Sequence, residues 1–542
     1  MLSFLSNGGA ALPPGEARCA DSEEHAIAEL RLAELIAALS QVSDLGMGQP
    51  PEEAARSCLL ATTLARHLGL DERDVGDVYY ATLLQHVGCT AYAHETAALF
   101  GGDDIAVRAG GARIDFANPK EALPFLVFEL GKGATPLGRA RAVIAAFSKG
   151  QEFDEALARS NCEVAVHMTR RLGLGTGVQH GLNEIYERWD GKGNPRKLSG
   201  EDIALPARFA QVASQVLLFD HLGGLDLVSE VIRRRAGSAL DPSIADTFLR
   251  HGRELLAEIS SADASVAIIE TEPEPHRQIA EGRLDEVARA FADLVDLKSP
   301  FMHGHSVGVS ELAEAAAANL SLSEGEVVCV RRAGLLHDLG RTGVPNGIWD
   351  KPGPLTATEW EQVRLHPYYS ERILSRSTAL APLAPLAGMH HERQDGSGYY
   401  RQATATMIPR GACVLAAADA YQAMTQERAH RPALTPGAAA EQLNSEAAQG
   451  RLDIEAVRAV LEAAGHPQAR AQLTWPAGLS DREVQVLRLV SHGHSNREIA
   501  RLLWISPKTA GHHVQHIYAK IGVSTRAAAA LFAMEHDLLV RK

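Results

Sequence analysis

The chain repeats itself. ATLLQHVGCT at 81–90 returns as AGLLHDLGRT at 333–342, YERWDGKGNP at 186–195 as HERQDGSGYY at 391–400, and IALPARFAQVAS at 203–214 as MIPRGACVLAAAD at 407–419. Two copies of one module of about 200 residues follow each other, so both must take the same fold. Ala, Leu, Arg and Glu abound, strand-like alternation is scarce, and aromatic residues are only 5%. That pattern predicts an all-α protein. The seam between the copies falls near 260–280, where SSADASVAIIETEPEPHR reads as a polar connection broken by Pro273 and Pro275. A third unit follows residue 465, after HPQARAQLTWPAGLS, a linker with Pro467 and Pro476. The expected organisation is a loose tail over 1–25, helical domains over 26–258 and 280–465, and a small helical domain over 475–542.

Charge separates the last unit from the rest. Net charge is −14, yet residues 479–542 hold nine Lys/Arg against five Asp/Glu. A small basic end on an acidic body points to nucleic acid as a partner of that end alone. The six cysteines stand singly, with no CxxC pair, so neither a thiolate zinc site nor a disulfide framework is expected, and a reducing cytoplasm suits the chain. No run of about 18 apolar residues predicts a membrane span, and the N-terminus lacks the pattern of a signal peptide.

The second copy concentrates metal-ligating residues. HGH at 303–305, HD at 337–338, HP at 366–367, HH at 390–391 and Asp419 supply six histidines and two aspartates. Histidine and carboxylate are what a divalent metal takes where no thiolate is present. The strings LLHDLGR and HHERQDGSGYY resemble those of the HD-GYP family of bacterial metal-dependent phosphodiesterases. The resemblance implies that His305, His337, Asp338, His366, His390, His391 and Asp419 are metal ligands. It further implies two divalent metal ions, iron or manganese, and a cyclic dinucleotide such as cyclic di-GMP, or another phosphate ester, as substrate. Asp338 would lie between the metals, and Arg341 would stand where the family carries a phosphate-binding lysine. The family's trinuclear members have a glutamate at the position of Phe301, so two ions are expected here. The family's GYP becomes Gly398-Tyr399-Tyr400, and Asp395, Gly396, Gly398 and Tyr399 form the expected substrate loop.

Matching the copies removes those ligands from the first. His337 and Asp338 become Gln85 and His86, His390 and His391 become Ile185 and Tyr186, Asp419 becomes Ser214, and His305 falls near Arg56. The Asp190-Gly191-Lys192-Gly193 turn survives. The first copy is therefore expected to be a degenerate, non-catalytic module, with His86 and His94 as ordinary helix residues.

Residues 479–526 resemble the LuxR-type helix-turn-helix module. Ser495 and Glu498 form a capping box, Ser506 and Pro507 start the next helix, and Ala510, Val514, Ile517 and Ile521 make its buried face. The resemblance implies DNA binding as a homodimer. Lys508, Thr509 and His512 would meet base edges or phosphate, with His513, His516 and Lys520 giving backbone contact or support. The favoured reading is a binuclear phosphodiesterase joined to a transcriptional regulator. A nucleotide-sensing transcription factor with little turnover is the alternative.

Overall fold

The computed structural model describes residues 30–131, 136–465, 475–536 and 538–539. The expected 1–25 tail and most of the linker lie outside these residues. Among the described residues the fold is helical, apart from one antiparallel pairing of Leu30–Arg31 with Gln278–Ile279. No helix among them is long and apolar enough to cross a membrane.

Helix starts follow local chemistry. Ser323 with Glu326, Thr356 with Glu359, Ser480 with Glu483 and Ser495 with Glu498 each close a capping box, satisfying donors that the first turn leaves unpaired. The repeat is visible in the elements. Helix Glu53–His67 corresponds to His305–Asn319, Glu72–Leu83 to Glu324–Leu336, and the start of Leu205–Arg235 to Arg410–Thr425. Gly193 and Gly398 hold the same place in both copies. A Cβ on either would lie 2.4 Å from the backbone nitrogen of Arg188 or Arg393 respectively, so only glycine fits.

The two copies are fused and not strung together. One apolar core runs through both, and polar contacts cross the boundary. Asp104 accepts the Asn346 amide at 2.6 Å, Gly347 donates to the Gly102 carbonyl at 2.8 Å, and Glu34 receives Ser377 and Thr378. His94, on helix Ala93–Phe100, also makes a contact across this boundary, its Nδ1 meeting Asp350 at 2.8 Å.

Two expectations need correction. The seam is structured: Ala264–Thr271 is a helix whose Ala264 and Ile268 are fully buried. Tyr79 donates to the Ile268 carbonyl, and Glu272 holds both Arg31 and Tyr80. The apolar SVAII run drives it into the first copy, and the polar flank hid that run from a linker reading. The cysteines also differ. Cys58, Cys89, Cys162 and Cys413 are free, whereas Cys329 is disulfide-bonded. Widely spaced single cysteines carry no local sign of such pairing.

Candidate metal centre

Five segments bring the seven ligand candidates together. His337 and Asp338 sit where helix Glu324–Leu336 ends and the 3₁₀ turn Leu339–Gly343 begins. Gly340 allows a close approach: a Cβ there would lie 2.1 Å from the His366 carbonyl oxygen. This draws His366, the first residue of helix His366–Leu374, against the HD pair. His305 opens helix His305–Asn319, His390 and His391 follow Ala384–Gly388, and Asp419 lies within Arg410–Thr425.

The imidazoles are held in one tautomer. Nδ1 of His337 donates to the Gly334 carbonyl at 2.8 Å, that of His366 to Val363 at 2.6 Å, and that of His390 to Ala387 at 2.5 Å. His305 Nδ1 meets Gln426 Oε1 at 2.9 Å. In its neutral form each ring therefore turns a bare Nε2 lone pair inward, as a metal ligand requires.

Asp338 faces two ways. Its Oδ2 lies 3.4 Å from His337 Nε2 and 3.8 Å from His305 Nε2. Its Oδ1 lies 3.4 Å from His366 Nε2 and 3.6 Å from His390 Nε2. Asp419 divides likewise, with Oδ1 at 3.1 Å from His305 and Oδ2 at 3.7 Å from His391 Nδ1. His305, His337 and Asp419 form one compact donor group, and His366, His390 and His391 another. All such groups found among the described residues lie in the second copy.

Three observations fit a cation here. His337 Nε2 and Asp338 Oδ1 are fully buried with no hydrogen-bond partner in the protein, a costly state unless something else satisfies them. The Nε2 atoms of His366 and His390 approach to 3.2 Å with both lone pairs inward. The protonation states also suit. Burial pushes His305 down to about 4 and His366 down to about 3, and drives His391 well below its ordinary value. Burial works against protonation of His337 too, but Asp338 and Asp419 outweigh it and bring that ring up to about 9. Asp338 and Asp419 stay well below the usual carboxylate range despite burial, held there chiefly by His337 and His305 respectively. Two ionised carboxylates among mostly neutral imidazoles is the state that divalent metals bind.

Cationic and aromatic groups surround this cluster. Arg341 lies 3.5 Å from Asp338 Oδ2 and rests 3.6 Å above the Trp349 ring. Tyr399 lies over His391, with ring centres 4.8 Å apart. Asp395 and Gly396 are turn residues: Asp395 Oδ1 accepts the Ser397 amide at 2.9 Å and Gly396 takes φ +78°. Arg428 reaches within 3.3 Å of His305 Nδ1 and donates to the Phe301 carbonyl. Sequence reading missed Trp349, Gln426 and Arg428. The basic pair Arg428 and Arg431, just beyond the helix that carries Asp419, was the only available signal.

In the first copy the equivalent space is filled. Counted from their N-caps, Ala204 and Pro409, Ser214 stands opposite Asp419. Tyr186 takes the place of His391, and its hydroxyl bonds Asn161 Nδ2 at 2.9 Å and Cys89 Sγ at 3.0 Å. The loop scaffold persists: Glu187 accepts the Arg196 and Leu198 amides as Glu392 accepts those of Arg401 and Ala403.

The last unit forms its own small core. Helix Asn496–Leu502, capped by Ser495, precedes helix Pro507–Ile521, capped by Ser506. Ala510, Val514 and Ile517 are buried, and Ile521 is partly so. Lys508, Thr509, His512 and His516 are exposed, and His513 is half-buried. Lys520 is engaged within the unit, bonding Glu483 at 2.7 Å and the Gly478 carbonyl at 3.0 Å.

Comparison with known proteins agrees with this anatomy. Residues 289–456 match the HD domain, and residues 477–533 match the bacterial regulatory proteins of the luxR family. The 3'3'-cGAMP-specific phosphodiesterase 3 of Vibrio cholerae is 30% identical over 74% of this chain and 88% of its own. A cyclic di-GMP phosphodiesterase of Thermotoga maritima is 37% identical over 27% of this chain and 41% of its own. The crystal structure of a cyclic GMP-AMP specific phosphodiesterase of V. cholerae superposes with a TM-score of 0.57 at 25% identity. It covers 81% of this chain and 99% of that one. The chain therefore belongs to the HD-GYP family of metal-dependent phosphodiesterases, and it carries a LuxR-family DNA-binding domain.

Proposed function

We propose that the second copy hydrolyses a phosphodiester of a cyclic dinucleotide using two divalent ions, iron or manganese by the character of the ligands, which Asp338 would help both histidine groups to hold. The observation that carries this reading is the division of the Asp338 oxygens between two histidine groups. His305, His337 and Asp419 would hold one ion, and His366, His390 and His391 the other. When bound, such ions supply a hydroxide nucleophile at neutral pH and neutralise charge on the phosphoryl oxygens. The chain itself supplies orientation. Arg341, braced on Trp349, offers charge-assisted N–H donors to a phosphate oxygen. Arg428 adds a second guanidinium behind His305. Tyr399, stacked on His391, gives a base or ribose an apolar wall.

The relative aligned over most of its length acts on 3'3'-cGAMP, and shorter-aligned relatives act on cyclic di-GMP. Both are substrates to test. The first copy serves as a non-catalytic partner of the second. The last unit binds DNA through Lys508, Thr509 and His512, with His513 and His516 at the phosphate backbone and Lys520 as internal support, in a homodimer on a near-palindromic site.

The test is turnover of 3'3'-cGAMP and cyclic di-GMP by full-length protein loaded anaerobically with Fe(II) or Mn(II). Linear product that disappears in a His337→Ala/Asp338→Ala variant is expected. Binding of nucleotide without product from metal-replete protein would replace the enzyme with a sensor.

A further inference from the structure

Helix Arg526–Glu535 of the DNA-binding unit is apolar on two faces. Ala529 and Ala533 enter the core of their own unit. Ala527, Ala530, Leu531 and Met534 instead enter the core shared by the two HD copies, where Leu531 is 1% exposed. A polar edge completes the contact. Glu163 accepts the Ser524 amide at 3.3 Å and the Thr525 hydroxyl at 3.0 Å. Arg171, on the long helix Pro136–Arg171, bridges Glu535 at 2.7 Å and Asp293 at 2.8 Å, and His167 also bonds Glu535. Asp293 is fully buried on helix Leu284–Asp296.

One turn further along that helix is Asp296, also buried. Its Oδ2 accepts the Ser306 amide and its Oδ1 the Ser306 hydroxyl, both at 2.8 Å. Ser306 adjoins His305. The short connection between Asp296 and His305 forms the floor under the DNA-binding unit. Gly493 sits over Pro300, and the buried His303 ring lies 6.5 Å from that of His492. His303 thus faces the DNA-binding unit, and its Nδ1 has no partner in the protein.

The geometry points to helix Leu284–Asp296 as a positioning element with two ends, linking the seat of the DNA-binding unit at Asp293 to the His305 wall of the metal centre at Asp296. Seating of that unit and occupancy of the ligand set then stabilise each other, reciprocally and by the same factor. The recognition helix stays exposed in the seated state, so the device is linkage and not occlusion of the DNA face. This inference rests on the metal reading above.

The test uses full-length protein, Mn(II) as probe, and the variants Glu535→Gln, Asp296→Asn and their double. Mn(II) affinity is measured by titration, and seating by hydrogen exchange over 526–535 with and without Mn(II). Glu535→Gln is expected to speed exchange over 526–535 and to weaken Mn(II) binding about fivefold, a typical lower bound for coupled sites. The double variant should lose less affinity than the two single losses combined, because both cut one connection. Mn(II) should slow exchange over 526–535 in the wild type only. Faster exchange with Mn(II) affinity within twofold would overturn the linkage. Unchanged exchange would overturn the role of Glu535 in the seat. Absence of Mn(II) binding in the wild type would instead overturn the metal reading, and this inference with it.

Discussion

Gly398→Ala isolates what the loop after the histidine pair does. The added methyl would lie 2.4 Å from the Arg393 nitrogen and 2.5 Å from the Glu392 Cα. Ordinary contact is about 3.5 Å, so the loop must move by roughly 1 Å. The clashing atoms are backbone, so no side-chain rotation relieves them. Glu392 cannot give way cheaply, because its carboxylate accepts the Arg401 amide at 2.7 Å and the Ala403 amide at 2.8 Å. Tyr399 would be carried off His391, and a misplacement of that size costs about 10²-fold in rate. Overpacking costs about 1–3 kcal/mol in stability. Gly193→Ala is the internal control. It meets Arg188 N at the same 2.4 Å in the copy that lacks the ligands. The two variants should therefore lose similar thermal stability, while only Gly398→Ala loses turnover of cyclic dinucleotide with Mn(II). Turnover of Gly398→Ala within threefold of wild type would refute the reasoning, as would an equal loss in Gly193→Ala.

Three further outcomes follow from particular contacts. Trp349→Leu removes the face beneath Arg341, and a partly desolvated cation–π contact is worth about 1–2 kcal/mol, so KM should rise roughly five- to thirtyfold by steady-state kinetics with metal content unchanged. His94 is raised above its ordinary value by its hydrogen bond to Asp350. A raised histidine stabilises the fold fully below its unfolded value, and that stability is lost as pH rises through the folded one. Thermal melts should thus show a decline from about pH 6.5 upward that His94→Gln lacks. Lys508→Ala should weaken DNA binding and lower the salt slope by about 1, whereas Lys520→Ala should lower the melting temperature through the lost Glu483 contact and leave sequence preference unchanged.

The sequence was most legible where spacing and side-chain type act together. The seven ligand candidates could be picked out by order and identity alone, because a cluster of His and Asp in five segments has few uses other than metal, and the fold brings them together. The helix caps and the recognition helix were equally plain, since Ser495, Glu498, Ser506 and Pro507 act within a few residues of one another. What stayed hidden depends on contacts far along the chain. Trp349 beneath Arg341, Gln426 fixing the His305 tautomer, and His94 reaching Asp350 have no local signature. His303 shows the limit most clearly. It sits two residues from a ligand candidate and belongs to the same string, yet the helix start at His305 turns it toward the DNA-binding unit. Ala264–Thr271 was lost for another reason, because a charged, proline-bearing flank outweighed a short apolar run of which the fold buries only Ala264 and Ile268.

The central claim is a phosphodiesterase centre built on the split carboxylate of Asp338. The most direct measurement is metal content per chain, by elemental analysis of anaerobically loaded protein, alongside turnover of 3'3'-cGAMP and cyclic di-GMP. The account predicts about two ions per chain and a linear product, with Asp338→Ala losing both metal and product. Full turnover with one ion per chain, or turnover that survives Asp338→Ala, would contradict it.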